Sequence, residues 1–200
     1  MSSDNGLFYS DNVTYSRAIN HDYPGILQMA EPFYPDSVGT NHSNGFLNSR
    51  FTTDMLTTIN HRMGLLVAKN KHNGIIGFLG LAPFSAASPS PVVGAMLNSL
   101  ENAEYQHRPI SESNPFIFGP VCVATAAKGM GVFKGLYQAM WNFLPKDQYR
   151  TGYAFVDQNN KHSLDAHTKG LGAKVVGEFD AKSSKFWIIA YARTDKADLR

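Results

Sequence analysis

The sequence has a single cysteine, Cys122, so no disulfide can close within the chain, and a reducing compartment suits it. It lacks an excess of either charge. Eighteen Lys and Arg stand against 16 Asp and Glu, a formal net charge of +2, too balanced to argue for a nucleic-acid or membrane partner. No apolar run approaches the roughly 20 residues that cross a bilayer. The longest, Gly74 to Phe84, is expected to be a buried strand. The stretch MSSDNGLFYSDNV has neither the basic nor the apolar region of a signal peptide, and the expected location is cytoplasmic. There are no repeats, and the one Ser/Pro-rich piece, Ser85 to Pro91, is expected to be a loop. The phosphate-loop pattern GxxxxGK[ST] is absent, and so are the third glycine and the acidic residue of the dinucleotide fingerprint.

What is present is enough to fold. The chain has 200 residues, 43% of them hydrophobic and 17% charged. That supports one packed domain spanning 1–200, with an insertion at about 83–114, and excludes a disordered chain.

Hydrophobic spacing orders the elements. Val13 to Ile19 reads as a strand. Asn20 or Asp22 can cap a helix running to about Pro35, with Ile26, Leu27 and Ala30 inward and Pro24 in its first turn. Val38 to Asn44 reads as loop, and Thr52 or Thr53 can cap a second helix. MGLLVAKN and IIGFLGLAPF flank a His-Asn-Gly turn and read as a hairpin. The insert carries a helix from Val92 to Ala103, with Val92, Val93, Met96, Leu97 and Leu100 at helical spacing. PFIFGPVCVA is a strand, Lys128 to Leu144 a helix and TGYAFV a strand. Another helix runs from about Lys161 to Lys169, and a closing strand pair turns at AKSS. The order predicts a mixed α/β fold with helices on both faces of a central sheet and a parallel β-α-β unit at its centre. Trp141 and Trp187 are expected in the core.

That central unit contains VATAAKGMGVFKGLYQAM, Val123 to Met140. Two glycines and a lysine stand where strand hands over to helix. A helix start presents N–H groups and the positive end of the helix dipole. Glycines let an anion approach that backbone, and Lys128 adds a full charge. Together these would make a pyrophosphate cradle. The competing reading is that Gly129 and Gly131 only relieve crowding at a tight turn.

A strand ending in Val123, then Lys128, Gly129 and Gly131, then an amphipathic helix resembles the acetyl-CoA signature of the GNAT superfamily of N-acetyltransferases. Phe133 stands where that signature usually has a small residue. FVDQNNKHSLDAHTKGLGAKVVGEF resembles the family's closing strand–helix–strand segment, with Asn160, Ser163, Leu164 and His167 on one helix face.

The resemblance implies that Val121, Cys122 and Val123 face the pantetheine arm of acetyl-CoA. It implies that Lys128, Gly129, Met130, Gly131, Val132 and Phe133 hold its pyrophosphate, and that Asn160 contacts the cofactor. It further implies direct transfer of acetyl to a primary amine of a small molecule or peptide. Many members use a tyrosine on the last helix as the acid. That helix has none here, and His167 is the nearest titratable group, with packing as its alternative role. Cys122, inside an apolar strand, reads as buried rather than nucleophilic. His162 and His167 are badly spaced for two metal ligands, so no metal is expected. Asp157 reads as a loop cap rather than a base. The insert is expected to line the acceptor pocket or form a homodimer contact. The alternative function is a non-catalytic module of the same fold that binds acyl-CoA or a small ligand.

Overall fold

Tyr15 and Leu65 set the two sides of the first half of the molecule, because successive residues of a strand point to opposite faces. The computed structural model describes residues 8–10, 12–34, 47, 49–84, 90–110 and 114–194. The expected loops at Val38–Asn44 and, up to residue 89, Ser85–Pro91 lie outside the described residues. Contacts group the chain into two units, one of residues Met1–Ala82 with Phe118–Leu144, the other of Pro83–Ile117 with Pro145–Arg200.

The first unit contains strands β1 (Phe8–Ser10), β2 (Val13–Arg17), β3 (Gly64–Asn70) and β4 (Ile75–Pro83), in that spatial order and antiparallel. Strand β7 (Phe116–Val123) follows β4. Helices α1 (Tyr23–Ala30) and α2 (Thr53–Arg62) cover one face. There Ala18, Tyr23, Ile26, Leu56, Leu65, Val67, Phe78 and Cys122 form a buried cluster. Helix α4 (Val132–Phe143) packs on β2 and β3, and its residues Val132 and Leu136 border Gly77. Thr52 caps α2 by accepting from the Met55 N–H at 3.2 Å. In the β3–β4 turn, Asn70 Oδ1 accepts from the His72 and Gly74 N–H groups, and Asn73 takes a φ of 62°.

The second unit holds β8 (Thr151–Asp157), β10 (Ser184–Ala192) and β9 (Lys174–Ala181), joined antiparallel in that order. Phe116 and Ile117 of β7 pair with Gly152 and Tyr153 of β8 in parallel, as a β-α-β unit requires. Helix α5 (Lys161–Leu171) packs on β8 and ends at Gly172, whose φ is 80°. Phe155, Phe179 and Phe186 cluster, the last two stacked at 5.2 Å. The insert belongs to this unit. Its helix α3 (Pro91–Leu100) packs on β9 and buries Val92, Met96 and Leu100.

The fold class is mixed α/β, with several boundaries displaced from expectation. Helix α1 ends at Ala30 and gives way to a 3-10 turn, Glu31–Phe33. Helix α3 stops at Leu100 because a short hairpin follows, β5 (Glu104–Tyr105) and β6 (Arg108–Pro109), with Gln106 and His107 at positive φ. Helix α4 begins at Val132, not Lys128, because Gly129 and Gly131 take left-handed φ values of 78° and 75° that a helix cannot contain. Trp141 and Trp187 are half-buried rather than core.

Candidate functional site

The turn between β7 and α4 holds two glycines at left-handed φ, Gly129 and Gly131. After Val123, the Ala124 N–H donates to the Ile76 carbonyl at 2.9 Å, which ties the strand end to β4. A 3-10 turn, Thr125–Ala127, follows, then Lys128 to Gly131, then the helix. An added Cβ at Gly129 or Gly131 would meet nothing within 4 Å. The glycines therefore do not relieve crowding, which removes that reading. Their positive φ makes them necessary, and the space in front of them is open.

Amides of this turn divide into two sets. Those of Lys128 and Met130 already donate to the Thr125 and Ala127 carbonyls, both at 3.3 Å. Those of Val132, Phe133 and Lys134 precede the first bond of the helical ladder, Gly135 N–H to Gly131 O at 2.9 Å, and point out of the helix end. No acidic residue lies in that first turn, so the helix dipole is not offset there. Lys128 is half-buried. Its charge favours the Cys122 thiolate, but burial dominates and pushes the thiol pKa up to about 12. Cys122 is thus a protonated core thiol, only 6% exposed, as its strand position suggested. Val121 and Val123 flank it, both half-buried. The structure therefore brings Val121, Cys122, Val123, Lys128, Gly129, Met130, Gly131, Val132 and Phe133 into one continuous strand end, turn and helix start. Phe133 packs its ring against Tyr137 at 5.0 Å.

Asn160 and His167 lie in the second unit, on α5. Asn160 is buried at the helix cap, where its Oδ1 accepts from the Ser163 N–H at 3.1 Å. Asp157 makes the preceding turn, accepting from the Asn159 N–H at 2.9 Å, as a cap and not as an exposed base. His167 is 4% exposed, and its Nδ1 donates to the Ser163 carbonyl at 2.7 Å. Burial lowers its pKa to about 4, against a smaller opposing effect of that hydrogen bond. At neutral pH it is an uncharged imidazole, and almost none of it is the imidazolium that a general acid needs. The geometry therefore argues against His167 as general acid and matches its packing alternative.

Tyr34 is a buried phenol that the sequence did not single out. This buried residue belongs to the same cluster as Cys122. Its hydroxyl accepts from the Phe51 N–H at 3.1 Å. The Arg50 guanidinium lies over its ring at 4.6 Å and bridges to Glu31 at 2.8 Å. Burial raises its pKa, so it holds its proton at neutral pH. No periodicity in EPFYPDS marks it. Among the described residues, no group of three His, Cys, Asp or Glu could hold a metal ion, and no helix is long and apolar enough to cross a membrane.

No family model and no curated protein matches the chain. Solved structures do. The chain is similar to yncA from Salmonella typhimurium, solved with its cofactor acetyl-CoA, with a TM-score of 0.60 at 13% identity, over 94% of this chain and 97% of that one. It is similar to a GCN5-related N-acetyltransferase from Kribbella flavida, with a TM-score of 0.59 at 16% identity, over 92% and 99%. It is also similar to Arabidopsis thaliana NAA60 in complex with a bisubstrate analogue, with a TM-score of 0.61 at 12% identity, over 90% and 97%. The fold is that of the GCN5-related N-acetyltransferases, the GNAT fold, as the resemblance implied.

Proposed function

We propose that this chain is an acyl-CoA-dependent N-acyltransferase that moves acetyl from acetyl-CoA to a primary amine of a small molecule or peptide. The observation that carries the reading is the Lys128–Gly131 turn. On this fold, at the joint of β7 and α4, its backbone is open to solvent and its glycines are demanded by φ. These features fit a pyrophosphate. The Val132 and Phe133 amides would hold it, and Lys128 would neutralise part of its charge. Asn160 remains a candidate contact through the part of its amide not used by the cap.

Acetyl-CoA would supply the acyl group as an activated thioester. One backbone amide of the strand Val121 to Val123 would orient the thioester carbonyl. Direct attack forms the N–C bond as the C–S bond breaks. The amine loses a proton and the departing thiolate gains one. With His167 neutral and buried, and Tyr34 buried as well, water would supply that second proton. One domain over 1–200, a cytoplasmic location and an acceptor or homodimer role for the insert belong to the same proposal.

A second reading has its own support. Helix α5 carries no tyrosine, and its buried His167 is uncharged at neutral pH. A module that binds acyl-CoA without turnover would look the same. Thiol release from acetyl-CoA over a panel of amines and N-terminal peptides separates the two. Release with any acceptor supports the enzyme, whereas binding with no release across the panel supports the module.

A further inference from the structure

Met130 is an odd residue to find between Gly129 and Gly131. It is the most exposed of the large apolar side chains described, at 56%, ahead of Ile19, Val175 and Met55. Both neighbours are held at positive φ by the turn, so the backbone, not a packing partner, fixes where the side chain starts. The four other methionines described are better protected. Met29 and Met63 are half-buried, and Met96 and Met140 have no exposed surface. An exposed thioether is the methionine sulfur that peroxide reaches first.

We propose that Met130 is an oxidation site that links peroxide to cofactor binding; the link rests on the acetyl-CoA reading above. The thioether sulfur gives an electron pair to one oxygen of hydrogen peroxide. An S–O bond forms, the O–O bond breaks and the second oxygen leaves as water. The sulfoxide oxygen is a strong acceptor with partial negative charge. Next to the N–H groups at the start of α4 it competes with phosphate oxygens for those donors and repels them. Oxidation weakens acetyl-CoA binding, and bound acetyl-CoA shields the sulfur.

Timed hydrogen peroxide treatment of the full chain, read by mass spectrometry, tests this. Trypsin isolates Met130 in Gly129–Lys134 and Met55 in Phe51–Arg62, so Met55, 38% exposed on α2, is an internal control. Met130 oxidises fastest of the methionines named. At acetyl-CoA about ten times its dissociation constant, where roughly nine sites in ten are filled, Met130 oxidation slows about tenfold and Met55 is unchanged. Peroxide-treated protein binds acetyl-CoA at least about fivefold more weakly. In Met130→Leu that peroxide-induced loss disappears, whatever the variant's starting affinity. Binding without protection of Met130, or an equal peroxide-induced loss in Met130→Leu, overturns this inference alone. Absence of any acetyl-CoA binding overturns the cofactor reading and the link with it, even when Met130 still oxidises first.

Discussion

The phenol of Tyr15 on β2 occupies the space that a Cβ on Gly135 of α4 would need. Tyr15 is buried, so moving its ring would disturb the packing around it. Gly135 therefore lets α4 lie close on the sheet, and α4 carries the Lys128–Gly131 turn at its start. Gly135→Ala should gain about 1 kcal/mol in helix propensity. It should lose more by overpacking, typically about 1–3 kcal/mol. Urea unfolding should show a net loss of stability. A more stable variant would mean that Tyr15 yields easily.

Gly131 separates conformation from charge. Asn and Asp both tolerate left-handed φ better than other residues, so Gly131→Asn and Gly131→Asp should have similar unfolding midpoints. They differ by one negative charge at the turn. Acetyl-CoA should bind the Asp variant at least about tenfold more weakly than the Asn variant, a difference of about 1.4 kcal/mol. Equal dissociation constants for two folded variants would remove the pyrophosphate from this turn.

His167 should matter for stability as acid is added. Its pKa is about 4 in the folded chain, against an ordinary value of 6.5. The unfolded chain binds the proton more readily, so this contribution is fully present above 6.5 and is lost as pH falls toward 4. The whole effect is on the order of 3 kcal/mol. Unfolding free energies measured between about pH 7 and pH 5 should fall in the parent and fall less in His167→Gln. A parallel pH dependence in the two proteins would contradict the buried neutral imidazole.

Cys122 should be silent to thiol reagents. With its pKa near 12 and its side chain buried, labelling by a disulfide reagent should follow unfolding and not precede it. Rapid labelling of the native chain at neutral pH would place the thiol at an accessible surface.

The element order was legible because periodicity and punctuation agree. Asn73-Gly74 marks the β3–β4 turn, Thr52 marks the start of α2, and Val132, Leu136, Tyr137 and Met140 fall on one side of α4. Helix starts near glycine were not legible. Lys128 looks helical from sequence, and only the φ values at Gly129 and Gly131 exclude it. The cradle candidates were found because they are consecutive in the chain. Tyr34 and Cys122 meet through tertiary packing across 88 positions of sequence, which no local pattern encodes. His167 had the right residue type on the right helix, but its burial and its bond to Ser163 belong to the fold and not to the spacing. The insert was visible as extra length. That its helix covers β9 was not.

Isothermal titration of the full chain with acetyl-CoA tests the central claim most directly. The account predicts saturable binding of one cofactor per chain, with a dissociation constant below about 1 mM, equivalent to more than about 4 kcal/mol. No heat of binding up to millimolar acetyl-CoA, from protein shown to be folded, would contradict it.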